Sequence, residues 1–454
     1  MRWFRRPDKG ALTQGHLLKS LGVLAVPMLV AALLQNLQSL IDLFWVGSLG
    51  PHALAAVALG GTILMILFPM LMGLSTGTVA LVARAVGAQR WDEAGAVASQ
   101  SMMLALVMGG LTAIVTPFIS EHLLVLLGAS GEVLAEGNAY LRISLWGSFT
   151  VFLLFIGNSA LQGAGDAVTP MVIMAVSNVL NIFLAPLFIF GLGPIPAMGV
   201  AGAALAMVLA QAVAAAIAIH VLLSGRARLH ARLSEWRPSL SLSWRILRIG
   251  IPGSGQMLAR SLMGAVLMRV VASCGKEAVA AYGTGLRLHM IILMPAFALG
   301  GAAATLVGQN LGAGQPERAR RAAWLAAGVD VGFMIVAGIL LLAAAPAIIR
   351  VFSPDPEVIS IGAQYLRTVS PFYVFAALGI VIGRALNGAG DSLTPMIVTI
   401  VSLWGLQVPL AIYLARVWQP STQGIWWAIA AATALHGTLI ALWFETGRWK
   451  RARV

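Results

Sequence analysis

Long apolar segments recur along the whole chain and are separated by short polar stretches. Each has about 20 residues or more, and a helix of that length, rising about 1.5 Å per residue, crosses a hydrocarbon core of about 30 Å. Backbone groups cannot stay unpaired in lipid, and runs this long without alternation exclude a closed barrel. The pattern predicts twelve transmembrane helices, at residues 21–47, 53–80, 94–118, 138–162, 168–191, 197–223, 246–272, 278–305, 322–350, 363–387, 393–416 and 425–445.

The composition agrees with this pattern. Of the 454 residues, 59% are hydrophobic and 10% are charged, and the mean hydropathy is +0.90. A water-soluble globular protein does not have such a composition. We therefore expect an all-α, multi-pass membrane protein whose surroundings are the lipid bilayer.

The net charge of +13 arises from basic residues that cluster on one side of the predicted helices. Twenty of the 29 Lys and Arg residues lie in the N-terminal stretch, after the second, sixth and eighth predicted helices, and in the C-terminal tail. The positive-inside rule then places both termini and the central linker in the cytoplasm. Because membrane orientation explains the charge, we expect no nucleic-acid partner. The first apolar segment lacks a small-residue cleavage site, so we expect it to stay attached.

The second half of the chain repeats the first at a shift of 225 residues, which we take to hold without a gap. The segment Gln162–Met171 returns as Asn387–Met396, and Pro27 returns as Pro252. Six helices per half put equivalent loops on the same side, so we expect two parallel six-helix lobes related by a pseudo-two-fold axis along the membrane normal. The predicted domains are an N-terminal lobe at 1-223, a basic cytoplasmic linker at 224-245 and a C-terminal lobe at 246-454.

A Gly-Ala-Gly-Asp turn occurs in each repeated segment, and its aspartate is placed to cap the next helix. A phosphate-binding loop would need a following lysine and an ATPase domain, which the sequence does not contain. Energy for uphill transport would therefore come from an ion gradient.

One acidic residue, Asp42, lies inside the first predicted helix, whereas its repeat equivalent is Leu267. Burying an acid in a membrane is costly and usually reflects function. Gln35 and Gln38 lie on the same helix face as Asp42, at spacings i, i+3 and i+7, and we expect this face to border water and line a substrate cavity. The alternative is an acid held permanently by a neighbouring donor, but a purely structural acid would be expected in both halves.

Several of these features occur together in one known family. They are the twin halves, the cytoplasmic linker, Pro27 followed by Asp42, Val46-Gly47 leading to Ala53-Leu-Ala-Ala56, and the paired Gly-Ala-Gly-Asp turns. From about residue 20 to 445 the chain resembles the multidrug and toxic compound extrusion (MATE) family, and within it the DinF-like branch. The resemblance implies a secondary active exporter in the inner membrane of a bacterial cell. Its central cavity would alternate between outward and inward openings while H⁺ or Na⁺ influx drives the efflux of small amphiphilic drugs or toxic metabolites.

The resemblance also assigns roles to single residues. Asp42 matches the coupling aspartate of the DinF-like branch, and Pro27 matches a helix proline at which bending is proposed. Further matches in the same lobe cavity are Tyr140, Asn158 and Asn181, with Asn178 as an additional candidate for coupling.

Four positions depart from the patterns of related branches. Ala185 and Met207 stand where archaeal relatives have an acid and a threonine, and Arg260 and Ala376 stand where other members have acids of a second-lobe cation site. Sodium prefers five or six oxygen ligands, whereas a proton needs one carboxylate. We therefore expect H⁺ coupling through Asp42, with Na⁺ as the alternative, and no cofactor or bound metal.

The second half carries arginines where the first half has uncharged residues. Arg287 and Arg260 are candidates to face the substrate cavity, which would make the C-terminal lobe positive and favour zwitterionic, neutral or anionic cargo. Met65 has a flexible thioether that suits a pocket for varied shapes. Asp330, in the ninth predicted helix, is expected to pair with an arginine, and we expect the protein to act as a monomer.

Three alternatives remain open from the sequence. A lipid or lipid-linked flippase of the same superfamily would share the fold but should have a wider, more charged cavity. A major-facilitator carrier would need a charged glycine-rich loop after its second helix, where this chain has Gly87-Ala-Gln-Arg-Trp-Asp-Glu93. An intramembrane enzyme would need clustered carboxylates or histidines, and the seven histidines are scattered. We therefore expect no enzymatic activity.

Overall fold

The computed structural model describes residues 11–225, 229, 238–418 and 421–452. Within these residues the chain is helical, with no β-strand, which confirms the all-α class. Each of the twelve predicted segments lies within a helix, with at most two residues outside it, although several helices extend up to eight residues further. The helices are α1 (Leu17–Gly47), α2 (Pro51–Gly87), α3 (Trp91–Leu126), α4 (Gly131–Trp146 and Ser148–Gly163), α5 (Val168–Phe190), α6 (Gly199–Leu223), α7 (Leu240–Ala272), α8 (Lys276–Gly312), α9 (Pro316–Phe352), α10 (Pro356–Ala389), α11 (Leu393–Val417) and α12 (Ser421–Glu445).

Most of these helices are long and apolar enough to cross a membrane. Ten meet both criteria alone, and the two parts of α4, bent by 47° at Gly147, make an eleventh span together. The remaining helix, α7, has 33 residues, but Gln256, Arg260 and Ser261 lower the hydropathy of its middle. The chain is therefore a multi-pass membrane protein, in which α7 is too polar to meet the criteria that the other helices meet.

The described residues form two compact units. The first takes Val26–Ile251, and the second takes the chain from Pro252 onward together with the segment that ends at Ala25. α1 therefore passes from one unit to the other beside Pro27, and α7 does so beside the repeat equivalent, Pro252. The predicted domain limits at 1-223, 224-245 and 246-454 stay a prediction, because most of the linker lies outside the described residues.

Polar contacts hold the beginning of α7 and the segment just before α1. In the first unit, Arg245 of α7 forms an ion pair with Glu93 of α3 at 3.0 Å. In the second unit, the side chain of Asn310 in α8 donates to the backbone carbonyl of Leu12 at 3.3 Å. Arg318 of α9 donates to the carbonyl of Gly15. The segment just before α1 is thus fastened to the second unit.

The repeated turns have the capping role that their sequence predicts. The carboxylate of Asp166 accepts hydrogen bonds from the backbone N–H and the hydroxyl of Thr169, at 2.9 and 2.7 Å. Asp391 accepts the same two bonds from Thr394, at 3.2 and 3.0 Å. These bonds satisfy orphan donors at the first turns of α5 and α11, so both turns are structural.

The repeat register changes in the last helix. The bounds of α6 and α12 are related by a shift of 222 residues, and Gly202 and Gly424 pack against the backbone of the preceding helix in the same way. The expected ungapped shift of 225 is therefore wrong for α12, because the distance along the chain from the start of α11 to the start of α12 is three residues shorter than that from α5 to α6. The repeat equivalent of His436 is consequently Ala214.

Three helices contain irregular turns that the apolar pattern does not predict. A 3₁₀ turn interrupts α2 at Met65–Leu67, and another interrupts α10 at Ser370–Phe372. In α11 the segment Ile400–Gln407 is a π-helix. Such deviations inside a helix often mark functional or strained positions.

Replacing Gly388 by alanine is expected to destabilise the second unit. A methyl group there would overlap the carbonyl oxygen of Ala304, so α8 and α10 would have to separate. Overpacking of this kind costs about 1–3 kcal/mol. The unfolding temperature of the purified variant in detergent, followed by tryptophan fluorescence, measures the loss.

Gly383→Ala is the matched control in the same helix, because nothing lies within 4 Å of the added methyl group. Alanine is the better helix former, so this variant should keep its stability or gain up to about 1 kcal/mol. Equal stability of the two variants would contradict the packing described for Gly388.

Candidate functional site

The acid of the first unit is bound to an amide of α5. The Nδ2 of Asn181 donates a hydrogen bond of 2.5 Å to the Oδ1 of Asp42. Asn181 is 1% exposed, and Asp42 is half-buried. The predicted coupling residue and its predicted partner therefore lie together, and their bond joins α1 to α5.

A second amide on α5 forms another hydrogen bond to α1. Asn178 stands three residues before Asn181, on the same face of α5. Its Nδ2 donates to the backbone carbonyl of Leu34 in α1 at 2.6 Å. The two asparagines thus bind α1 at positions about two helical turns apart. Asn178 binds the backbone carbonyl of Leu34, and Asn181 binds the carboxylate of Asp42.

Tyr140 supplies the apolar wall near this contact. Its ring packs with Val46 of α1, Ala53 of α2 and Ala185 of α5, and it is close enough to Asp42 for an electrostatic interaction. The ring fits because Gly60 of α2 has no side chain. Ala185 is therefore part of an apolar cluster in this chain.

Several buried oxygen atoms near these helices have no hydrogen-bond donor among the described residues. They include the Oδ1 atoms of Asn158, Asn178 and Asn181. Buried polar groups normally have partners, so acceptors without donors suit a site that binds a proton-bearing group or a cation. The Oδ1 of Asn181 belongs to the amide that already contacts Asp42, and it can accept a hydrogen bond from the protonated acid.

The predicted cavity residues of the first half differ in their surroundings. Gln38 is buried, whereas Gln35 is exposed. Met65 lies in the 3₁₀ turn of α2 and is 75% exposed. Pro27 lies inside α1, which continues as one helix from Leu17 to Gly47. The cavity roles of these residues and the hinge role of Pro27 stay predictions.

The two predicted arginines of the second half also differ. Arg287 of α8 is exposed, whereas Arg260 of α7 is half-buried and its Nη2 lies 3.1 Å from the Nε2 of His436 in α12. Sequence reasoning missed this partner, because the two residues are 176 positions apart and a single histidine in a helix gives no local signal.

The expectation that Asp330 pairs with an arginine is wrong. Its side chain is 0% exposed, and neither carboxyl oxygen has a hydrogen-bond partner in the described chain. Two arginines of the membrane segments of this unit are held by other groups instead, because Arg260 contacts His436 and Arg384 lies over the ring of Phe297.

Comparison with known proteins follows the same division into halves. The MatE family model matches the chain twice, at residues 27–187 and 252–413. The starts of the two matches are the repeat-related prolines Pro27 and Pro252. Together they cover more than half of the chain, and the first match contains Asp42, Asn178 and Asn181.

Individual relatives match over nearly the whole length. A probable multidrug resistance protein NorM from Thermotoga maritima is 30% identical over 439 residues, which are 96% of this chain and 94% of that protein. An FAD transporter from Shewanella oneidensis is 30% identical over 375 residues, 82% of each chain. A solved transporter of the MOP superfamily from Pyrococcus furiosus is 27% identical, with a TM-score of 0.89, covering 99% of this chain and 100% of that one.

The double match to the family model, the full-length relatives and the shared fold agree with one another. The chain belongs to the MATE family of membrane transporters.

Proposed function

We propose that this protein is a proton-coupled exporter of small amphiphilic compounds, of the DinF-like branch, in which Asp42 carries the coupling proton. The observation that carries the proposal is the hydrogen bond between Asp42 and Asn181. The multidrug resistance protein of T. maritima supports efflux as the transport direction. In the transport cycle, the strength of the contact between α1 and α5 would depend on whether Asp42 is charged.

Asn181 can serve both protonation states of Asp42. A carboxylate only accepts hydrogen bonds, and the amide Nδ2 supplies a donor. A protonated carboxyl also donates, and the amide Oδ1, which has no donor of its own in the described residues, can accept that proton. Hydrogen bonds to a charged group are roughly twice as strong as neutral ones, so protonation weakens the link between α1 and α5.

A weaker link would act on a helix that is already predisposed to bend. Pro27 removes one backbone hydrogen bond inside α1 and crowds the preceding turn. The helix changes compact unit beside this residue. Loosening the contact at Asp42 would therefore let the segment after Pro27 move, while Asn178 and Leu34 keep its register against α5. Alternating access of the central cavity would use this movement.

The inward movement of one proton, carried by one carboxyl group, can release enough free energy for such a transporter. A proton that moves down one pH unit releases about 1.4 kcal/mol, and its charge adds about 2.3 kcal/mol per 100 mV. For a neutral cargo exchanged against one proton, the sum corresponds to an accumulation of roughly 500-fold. No cofactor is needed for this chemistry.

Sodium coupling is the second candidate, and one observation favours it. The unpaired Oδ1 atoms of Asn158, Asn178 and Asn181 are hard oxygen donors of the kind that alkali cations bind. Ala185 and Met207 argue against it, because they remove oxygen ligands at the two positions where related proteins have them. The proton is therefore the preferred coupling ion.

The same proposal includes location and orientation. We assign the protein to the bacterial inner membrane as a monomer with both termini in the cytoplasm. Contacts within the second unit support this orientation, because they join stretches that the basic residues predict to be cytoplasmic. Arg320 at the start of α9 forms a 2.6 Å ion pair with Glu445 at the end of α12, and Glu317 pairs with Lys450 at 2.6 Å.

The cargo is expected to be a small amphiphile of varied structure. Relatives are named for multidrug resistance and for FAD transport. FAD contains a pyrophosphate, so cargo carried by relatives includes an organic anion. For this chain the arginines of the second half favour neutral, zwitterionic or anionic cargo over purely cationic compounds.

Replacing Asp42 by asparagine is expected to lower proton-driven transport more than tenfold. Asparagine keeps the size and hydrogen bonding of the side chain but cannot exchange a proton. The measurement is pH-gradient-driven uptake of fluorescent amphiphiles of positive, zero and negative charge into vesicles containing the purified protein. Asp330→Asn is the matched control, because it also removes a membrane acid, and it should keep at least half of the activity. Full activity of Asp42→Asn would exclude the proposed role.

Imposed ion gradients separate the two coupling ions. With membrane potential clamped, a pH gradient at constant sodium should drive transport, and a sodium gradient at constant pH should not, because one carboxylate suffices for a proton. The opposite result would assign the site to sodium. The variant Asn181→Ala should reduce transport under the effective gradient, since it removes the partner of Asp42.

A further inference from the structure

The second unit contains a cluster of basic side chains that the coupling mechanism does not use. We call the residues Arg260, His289, Arg384 and His436 the basic cluster. They come from α7, α8, α10 and α12 and lie buried or half-buried inside the second unit. Their repeat equivalents are Gln35, Leu64, Ser159 and Ala214, so the positive charge belongs to the second half alone.

Hydrogen bonds fix the histidines of this cluster in place. The Nε2 of His436 lies 3.1 Å from the Nη2 of Arg260 and 3.2 Å from the hydroxyl of Thr399 in α11. A guanidinium group can only donate, so Nε2 accepts and His436 is neutral in this arrangement. The Nδ1 of His289 lies 3.1 Å from the hydroxyl of Tyr373 in α10. The basic cluster and its hydrogen-bond partners Thr399 and Tyr373 therefore form a polar structure that spans five helices.

Arg260 and Arg384 have defined contacts, but neither has an acidic partner among the described residues. The guanidinium of Arg384 lies over the ring of Phe297 of α8, 5.2 Å from its centroid, and it is close enough to Arg260 to interact electrostatically. No carboxylate of the described chain lies within ion-pair distance of either arginine. The membrane acid of this unit, Asp330, has no hydrogen-bond partner among the described residues and so does not compensate them.

Two like charges that are close together inside a protein are unfavourable unless a counter-charge is present. Arg260 uses one of its five N–H donors on His436, which leaves donors in the planar fork geometry that matches carboxylate and phosphate groups. Bidentate bonds of this kind are the strong ones. An oxyanion would supply the counter-charge and would match the donor geometry of Arg260.

We infer that the basic cluster of the second unit is a binding site for the phosphate or carboxylate group of a small anion. Arg260 and Arg384 supply charge and donors, and His436 and Thr399 orient Arg260. The aromatic ring of Phe297 supports Arg384. The anion could be part of an exported amphiphile, an assignment that rests on the proposed function, or it could be a free inorganic ion.

Binding to the purified protein in a neutral detergent tests the inference without transport. Titration calorimetry with octyl phosphate, inorganic phosphate and octyltrimethylammonium compares the anionic headgroup with the free anion and with a cation of the same chain length. We expect octyl phosphate to bind at least tenfold more tightly than octyltrimethylammonium. Equal binding by octyl phosphate and inorganic phosphate would assign the site to free anions, and tighter binding by octyl phosphate would assign it to amphiphilic cargo.

The variants Arg260→Gln and Arg384→Gln should each weaken phosphate binding at least tenfold. Arg269→Gln is the matched control, because Arg269 is an exposed arginine of the same helix, α7. Arg260→Lys keeps the charge without the fork and should bind with intermediate affinity. Unfolding temperatures verify that all variants are folded. Unchanged binding in the two glutamine variants, or a preference for the cation, would overturn the inference.

The inference and the proposed function can fail separately. Asp42→Asn removes the proposed coupling residue in the other unit and should leave octyl phosphate binding unchanged. If this variant transports normally while the arginine variants lose binding, the anion site stands and the coupling assignment falls. If the arginine variants bind normally and Asp42→Asn loses transport, the reverse holds.

Discussion

The contact between Asp42 and Asn181 is the interaction on which the proposed transport mechanism depends. A carboxylate in an apolar bundle is tolerated when a donor or water stabilises it, and here the donor is on another helix. In the proposed mechanism, the protonation state of Asp42 therefore sets the strength of the contact between α1 and α5. The bond between Asn178 and Leu34 has a complementary role, because it involves backbone and is insensitive to protonation.

The two units use one framework for opposite chemistry. Both have the capping aspartates, Asp166 and Asp391, and both place a tyrosine ring against a glycine, Tyr140 on Gly60 and Tyr365 on Gly285. Within this shared frame the first unit carries Asp42 and buried amide oxygens that have no donor among the described residues, whereas the second carries arginines and histidines. The packing residues recur in both units while the polar interior positions differ, which is the arrangement that the proposed proton site and anion site require.

The fold could be predicted from the sequence because apolar segment length is a strong signal in a membrane. The pairing of Asp42 with Asn181 was accessible through family resemblance, since the acid alone does not indicate its partner. The contact between Arg260 and His436 could not be predicted from the sequence, because it joins helices that are far apart in the chain and because the repeat register changes in α12. The expected pairing of Asp330 with an arginine was wrong because the sequence does not reveal that His436 and Phe297 hold Arg260 and Arg384. Nothing in the residue pattern around Ile400–Gln407 signals a π-helix, which depends on packing between helices.

The passage of α1 and α7 from one compact unit to the other has a consequence for biosynthesis. The first unit includes Leu240–Ile251 of α7, so it lacks its last component until the ribosome has translated beyond the linker. The second unit includes the turns of α1 that end at Ala25, which are the earliest described part of the chain to be synthesised. If the chain is severed in the linker, each fragment therefore lacks a segment of one compact unit, and we expect the two fragments to complete their units only after they associate in the bilayer.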